Sequence, residues 1–325
     1  MTNLAEEILA EAEFQAPTGQ IGGTWAELPA KKIEAALEIL NPKSNANAGR
    51  RACLSFSGGG DSLVALDLAH KAGLRPVVIW VDTGMEYPET ETFVFKTAVD
   101  KYGFDLRIAR APKTPLEQWK TTGWPFLGKL AARRWMQLNQ DAGFKLNVSE
   151  CCRALKIRPA RAMARNAGCQ LQITGQRGST DDLIRGLRAH QDGPIHYQIE
   201  KRLWIVNPIT GWTDADVRAY ITAYSLDEHP AKARGAATIG CVFCGGGSQY
   251  TNSGFRVLRK TWPEAWQEFV VDWRGGYIIL ALKYGADLET TIQAANEAGG
   301  IEALARTRPW IFDYTRRTPI NGYKK

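Results

Sequence analysis

Read by the spacing of its apolar positions, the chain divides into a helical start, an alternation of strands and helices, and a helical end. Residues 1–40 carry two helical patterns, Leu4–Phe14 and Trp25–Leu40, split by Pro17-Thr18-Gly19. A polar linker from Asn41-Pro42 to Asn47 follows, and the alternating pattern starts near Arg50. Continuous apolar runs at Cys53–Phe56 and Pro76–Val81 predict strands buried on both faces. Between them, Leu63, Val64, Leu66 and Leu68 repeat at helical spacing. A helix over Glu89–Tyr102 and a strand over Asp105–Ala109 come next. The segment Lys113–Asn147, rich in tryptophan (Trp119, Trp124, Trp135) and holding Phe126, reads as a helical insert able to cover a site. Strands at Leu171–Thr174 and Leu203–Asn207 precede a helix over Asp214–Tyr224 with Thr213 as its cap. Strands alternating with helices predict an α/β fold, a Rossmann-like parallel sheet with helices on both faces and right-handed crossovers. Ligands of such sheets sit at the strand carboxyl ends, where Ser57, Asp82 and Gly175 fall.

The first strand breaks into Ser57-Gly58-Gly59-Gly60-Asp61-Ser62 before its helix begins. A strand, a glycine turn and a helix N-terminus together build an anion site, because glycines admit close approach and free N–H groups point at the ligand. The ligand expected is a phosphate or pyrophosphate. A Walker A loop is excluded, since no lysine lies between Arg51 and Lys71, and the dinucleotide fingerprint lacks its third glycine at Leu63. The segment resembles the PP-loop of ATP pyrophosphatases, Ser-Gly-Gly-x-Asp-Ser. That resemblance implies cleavage of ATP between the α and β phosphates.

Composition changes this picture little. The 325 residues, 44% hydrophobic and 23% charged, suit a soluble globular protein, and no apolar stretch of membrane-spanning length occurs. Met1–Glu13 is acidic rather than basic and apolar, so no signal peptide is expected and a cytoplasmic location is. A net charge of +7 allows a polyanionic partner without demanding one.

The six cysteines change it more. In a reducing compartment they argue for metal or redox chemistry over disulfides. Cys151 and Cys152 are adjacent, and Cys241 and Cys244 form a Cys-x-x-Cys. Four thiolates suit zinc or an iron–sulfur cluster. The adjacent pair is awkward for one tetrahedral ion and easier on different irons of a [4Fe–4S] cube, and Arg153, Lys156 and Arg158 follow with positive charge. Cys53 and Cys169 read as small core residues.

Cys151-Cys152-Arg-Ala-Leu-Lys156-Ile-Arg-Pro159 resembles the double-cysteine motif of adenylylsulfate (APS) reductases, within the phosphoadenylylsulfate (PAPS) reductase family. Val81-Asp82-Thr83-Gly84, Tyr87-Pro88-Glu89-Thr90, Thr174-Gly175-Gln176-Arg177, Asn207-Pro208-Ile209 and Ile239-Gly240-Cys241 are similar as well, in the family's order. The resemblance implies that Cys151, Cys152, Cys241 and Cys244 bind a [4Fe–4S] cluster. It implies that Ser57, Gly58, Gly59, Gly60, Asp61 and Ser62 hold nucleotide phosphates, with Asp82, Thr83, Gly84 and Gly175 beside them. Lys156 and Arg177 are then expected near the substrate as catalytic residues. The domains expected are a helical extension over 1–48, the PP-loop domain with its cluster ligands over 49–247, and a basic, aromatic helical region over 248–325.

Two departures from the reductases stand out. Their nucleophilic cysteine lies in a C-terminal segment, and no cysteine here follows Cys244; no thioredoxin-like Cys-x-x-Cys region is present either. The loop has the Ser-Gly-Gly-Gly-Asp-Ser form of ATP-cleaving members. The expected activity is therefore cleavage of ATP, with Mg²⁺, to activate a substrate for sulfur transfer. A cysteine desulfurase is the sulfur donor expected and DNA or tRNA the acceptor. The alternatives are an APS or PAPS reductase using a cysteine from elsewhere, and a regulator that binds nucleotide and cluster without turnover. After Ser248, Trp262, Trp266, Trp273, Trp310 and Tyr314 stand among Arg256, Arg259, Lys260, Arg274, Arg306, Arg308, Arg316 and Arg317. That pattern reads either as helical packing under a basic surface or as a nucleic-acid-binding face.

Overall fold

The computed structural model describes residues 30–44, 47–126, 129–146, 149–178, 183–199, 202–236, 238–242, 254–284, 287–301 and 303–304. The helix expected over Leu4–Phe14 and Cys244, expected as a ligand, lie outside them. The chain forms two compact units, one of Met1–Val81, Pro88–Ala109 and Ala160–Pro230, the other of Asp82–Tyr87, Arg110–Pro159 and Ala231–Lys325.

The first unit is built on a six-stranded sheet of β1 (Ala52–Ser55), β2 (Val77–Asp82), β3 (Leu106–Arg110), β4 (Leu171–Ile173), β5 (Ile195–Gln198) and β6 (Leu203–Val206). Its order is β3-β2-β1-β4-β6-β5. β1 is parallel to β2 and β4, and β4 to β6, with Cys53 opposite Val77 and Leu54 opposite Ile173. The α/β fold is the one expected, with one difference. β5 is an edge strand that runs antiparallel to β6, pairing Ile195 with Val206. Its short run, Ile-His-Tyr-Gln, carries too little apolar signal to announce a strand.

The buried strands alternate between two cores, as side chains of period two must. Leu54, Phe56, Val78 and Trp80 join the larger core with helices Ala30–Leu40, Gly60–Lys71 and Asp214–Ala223. Cys53, Val77 and Ile79 point to a smaller one with Ala109, Ala164 and Cys169. Thr213 caps helix Asp214–Ala223 in a reciprocal box with Asp216, whose carboxylate also receives Lys32. Asp67 is the buried carboxylate of helix Gly60–Lys71. Tyr102 and Tyr220 donate to it at 2.8 and 2.6 Å, Lys71 pairs with it at 3.3 Å, and the helix is thereby tied to two other elements.

The second unit has a core of its own, dominated by aromatic rings. Trp119, Trp124, Phe126 and Trp135 of the insert bury together with Trp262, Trp266, Phe269 and Leu280. The insert is helical as expected, over Pro115–Thr122 and Lys129–Leu138. Trp262 and Trp266 are thus core residues, which is the packing reading of the basic, aromatic stretch. Trp310, Tyr314, Arg306, Arg308, Arg316 and Arg317 lie outside the described residues. No helix among the described residues is long and apolar enough to cross a membrane.

Candidate functional site

In the first unit β1 leads through Phe56 into Ser57, and the glycine turn ends at helix Gly60–Lys71. Gly58 has φ 79°, a left-handed backbone that glycine adopts without strain. Gly59 is the helix N-cap and has no side chain to satisfy the first amides. The turn is braced from within by its serines. Ser62 Oγ donates to the Gly59 carbonyl at 2.9 Å and accepts from the Ser57 amide at 3.2 Å, and the two hydroxyls lie 3.1 Å apart. Ser62 is buried and Ser57 exposed, so Ser62 shapes the loop while Ser57 faces outward.

Gly175, two residues past β4, sits directly against this helix start. A Cβ there would come within 2.8 Å of the Ser62 amide nitrogen and closer still to the Asp61 backbone. Glycine is required by the packing. Arg177 is only 7% exposed and donates from Nε to Asp61 Oδ1 at 2.9 Å and from an η nitrogen to Asp214 Oδ1 at 2.5 Å. Burial disfavours its charge, but Asp61 and Asp214 outweigh it and hold the guanidinium more firmly protonated. Arg177 therefore touches the loop through Asp61, the loop's one carboxylate. Asp214 had no sequence signal beyond its place in the first turn of a capped helix.

Asp82, Thr83, Gly84, Lys156, Cys151, Cys152 and Cys241 fall in the second unit. Asp82 Oδ1 accepts from the Gly84 amide at 2.9 Å, where Gly84 has φ 77°, and Oδ2 accepts from Arg110 at 2.7 Å. Thr83 donates from its amide and hydroxyl to Glu86 Oε1 at 3.2 and 2.9 Å, and its hydroxyl lies 3.4 Å from Cys241 Sγ. Glu86 was not foreseen, although Thr83-x-x-Glu86 has the capping-box spacing that could have found it. Burial raises its carboxyl above the usual range, offset in part by Lys156 and by the Thr83 hydrogen bonds. Glu86 Oε2 is buried with no hydrogen-bond partner among the described residues.

Cys151, Cys152 and Cys241 line one small pocket with Lys156, Met85, Trp119, Pro125 and Leu155. The indole N–H of Trp119 donates to Cys151 Sγ at 3.2 Å. The Met85 carbonyl accepts from the Val242 amide at 2.6 Å and fixes the chain next to Cys241. Among the described residues no three metal-ligating side chains already converge as a set. The donors nevertheless fit a cluster. Three thiols face one largely apolar pocket, an N–H and an O–H lie against two of the sulfurs, and a lysine supplies positive charge beside what would be a net-negative group. The sequence places Trp119 only among the aromatics of the insert; its contact with Cys151 needs the tertiary fold.

A family model, the phosphoadenosine phosphosulfate reductase domain, matches residues 51–246. The chain belongs to that family. It is 26% identical over 188 residues to a phosphoadenosine 5'-phosphosulfate reductase of Synechococcus sp., covering 58% of this chain and 71% of the relative. An adenosine 5'-phosphosulfate reductase of Chelativorans sp. is 27% identical over 215 residues, covering 65% and 74%. Among solved structures, the phosphoadenylyl-sulfate reductase of Candida auris in a phosphate complex has a TM-score of 0.45 at 20% identity, covering 69% of this chain and 98% of its own. The U34-tRNA thiolase NcsA of Methanococcus maripaludis with its [4Fe-4S] cluster has a TM-score of 0.42 at 14% identity, covering 75% and 77%.

Proposed function

We propose that this family member is an enzyme that cleaves ATP to AMP and pyrophosphate and so activates an acceptor for sulfur transfer. The observation that carries the reading is the braced turn from Ser57 to Ser62, in which the amides at the start of helix Gly60–Lys71 have no side-chain cap. Those amides and the Ser57 hydroxyl suit the oxygens of a departing pyrophosphate, with Mg²⁺ as the expected counter-ion. An acceptor oxygen attacks the α-phosphorus, the bond to the α,β-bridging oxygen breaks, and pyrophosphate leaves with the electron pair. A sulfur nucleophile then displaces AMP together with that acceptor oxygen. Arg177 holds Asp61 in place at the loop, and Lys156 places its charge in the cysteine pocket. A [4Fe–4S] cluster on Cys151, Cys152, Cys241 and Cys244 would supply a thiophilic iron for the incoming sulfur. A cysteine desulfurase persulfide is the donor proposed, with a thiol reductant supplying the two electrons that cleave its S–S bond so that the sulfur ends at the sulfide level, and tRNA or DNA is the acceptor.

The family match favours a second reading, reduction of adenylylsulfate or phosphoadenylylsulfate to sulfite. That reaction needs a thiolate outside the cysteine pocket. Cys53 is fully buried and Cys169 nearly so, both in the small core beneath the sheet. The hydrogen bond with Cys169, reinforced by burial, pushes the Cys53 thiol far above its usual range. The same hydrogen bond lowers the Cys169 thiol, but at 8% exposure in that core its sulfur is kept from an incoming sulfate. Phosphorus NMR of ATP incubated with protein, acceptor pool and sulfur donor tests the choice. AMP with pyrophosphate supports the first reading, and sulfite from adenylylsulfate without ATP cleavage the second.

A further inference from the structure

The second unit contains a cleft of about 690 Å³ that neither the turn at Thr83 nor the thiols use. Its size is that of a small-molecule site, about 300–1,000 Å³. Part of its wall is aromatic. Trp119 lies 5.0 Å from Trp124, ring centre to ring centre, and 5.7 Å from Trp273, whose plane is turned 79° to it. Trp119 and Trp124 are buried, whereas Trp273 is half-buried and presents ring surface.

Three exposed cations, Lys120, Lys145 and Arg274, line the same cleft against one exposed carboxylate, Asp272. They come from three separate segments, helix Pro115–Thr122, the loop after helix Lys129–Leu138, and the turn before helix Gly275–Tyr284. Arg274 has φ 61° at the end of the preceding helical segment, a left-handed position where glycine is usual, although Gly275 stands next to it. An arginine in that backbone costs stability that a glycine would spare.

Aromatic faces beside cations match a planar base carried on an anionic backbone. Cations drawn from separate segments suit a phosphate chain passing over the cleft better than a single terminal phosphate. The cleft's position adds to this. Trp119 lines both this cleft and the cysteine pocket, with its N–H directed to Cys151 Sγ. One indole separates the two.

We infer that this cleft binds a nucleotide of an unpaired nucleic-acid strand and sets it one tryptophan away from the thiols. The strand's role as sulfur acceptor rests on the function proposed above; its binding does not. The test is fluorescence anisotropy of labelled twelve-nucleotide strands, one RNA and one DNA of mixed sequence, with the full chain and no ATP. At least one strand binds. The double variant Lys120→Glu/Lys145→Glu, with its thermal midpoint unchanged, weakens binding at least about tenfold and flattens the slope of log Kd against log salt. Trp273→Ala weakens it about tenfold or more. The inference is overturned if neither strand binds, if the charge variant binds like the parent, or if a nucleoside monophosphate competes as well as the strand. Strand binding that depends on the cleft, in a protein that does not cleave ATP, upholds the cleft and removes the reaction. ATP cleavage with strand binding indifferent to these variants does the reverse.

Discussion

The backbone of Gly175 packs against that of Asp61 so closely that a Cβ on Gly175 would lie 2.5 Å from the Asp61 carbonyl carbon. The end of β4 and the start of helix Gly60–Lys71 are thereby locked in register, and the phosphate turn inherits its position from both. Gly175→Ala is expected to cost about 1–3 kcal/mol by overpacking and to weaken ATP binding at least about tenfold. Gly60→Ala, whose Cβ would meet two side-chain methyls, Ile221 Cδ1 at 3.2 Å and Val217 Cγ1 at 3.6 Å, serves as the mild comparison for stability. Thermal melts compare the two variants, and calorimetric ATP titration reads Gly175→Ala. Equal behaviour of the two variants contradicts the packing argument.

Arg177 bridges Asp61 and Asp214 from a nearly buried position. Lysine cannot reproduce the two-pronged donation. Arg177→Lys is expected to lower stability by about 1–2 kcal/mol, less than a fully buried pair because both carboxylates are partly exposed. Asp214→Asn should lower the melting midpoint by less than Arg177→Lys. An Arg177→Lys protein with an unchanged melt and lost turnover would assign Arg177 directly to the substrate.

The sequence made the glycine turn and the parallel strands and helices around it legible because each depends on local pattern: apolar runs, a glycine cluster, a capped helix. The cysteine spacing is equally local, and of the four thiols Cys151, Cys152 and Cys241 are described. What it did not reveal depends on contacts between distant positions. Asp214 reaches Arg177 across 37 residues and Trp119 reaches Cys151 across 32. The insert and the helices after Gly254 share one aromatic core, so the role of each tryptophan follows from partners that periodicity does not identify. The antiparallel β5 was missed because four mixed residues at a sheet edge have no buried face to advertise.

Trp119 offers a check on the thiol pocket. Anaerobically purified protein is expected to carry about four irons per chain, lost on Cys241→Ala and kept on Cys169→Ala. Trp119→Phe removes the N–H from Cys151 Sγ while keeping an aromatic ring. Iron content should persist and the reduction potential should fall, since a hydrogen bond to sulfur favours the reduced, more negative state. Stoichiometric zinc in place of iron, or a potential unmoved by Trp119→Phe, contradicts this.

Asp216 sets an acid limit on the first unit. Burial alone would raise its carboxyl, but hydrogen bonds from Lys32 and Thr213 hold it below its ordinary value of 3.8. The folded chain thus binds this proton more weakly than the unfolded one. The stability it contributes is full above 3.8 and is lost as pH falls through the lower folded value. Asp216→Asn is expected to lower the melting midpoint at neutral pH and to flatten its decline below about pH 4. An undiminished decline in the variant would place the acid sensitivity elsewhere.

The central claim is that the turn at Ser57–Ser62 serves cleavage of ATP at the α-phosphorus. Its most direct test supplies α-labelled ATP, Mg²⁺, a sulfur donor and an RNA or DNA pool to anaerobic protein, and resolves the nucleotide products. The account predicts AMP with equimolar pyrophosphate, abolished by Gly59→Val, and no sulfite when adenylylsulfate replaces ATP. Sulfite from adenylylsulfate or phosphoadenylylsulfate, with ATP left intact, would contradict it.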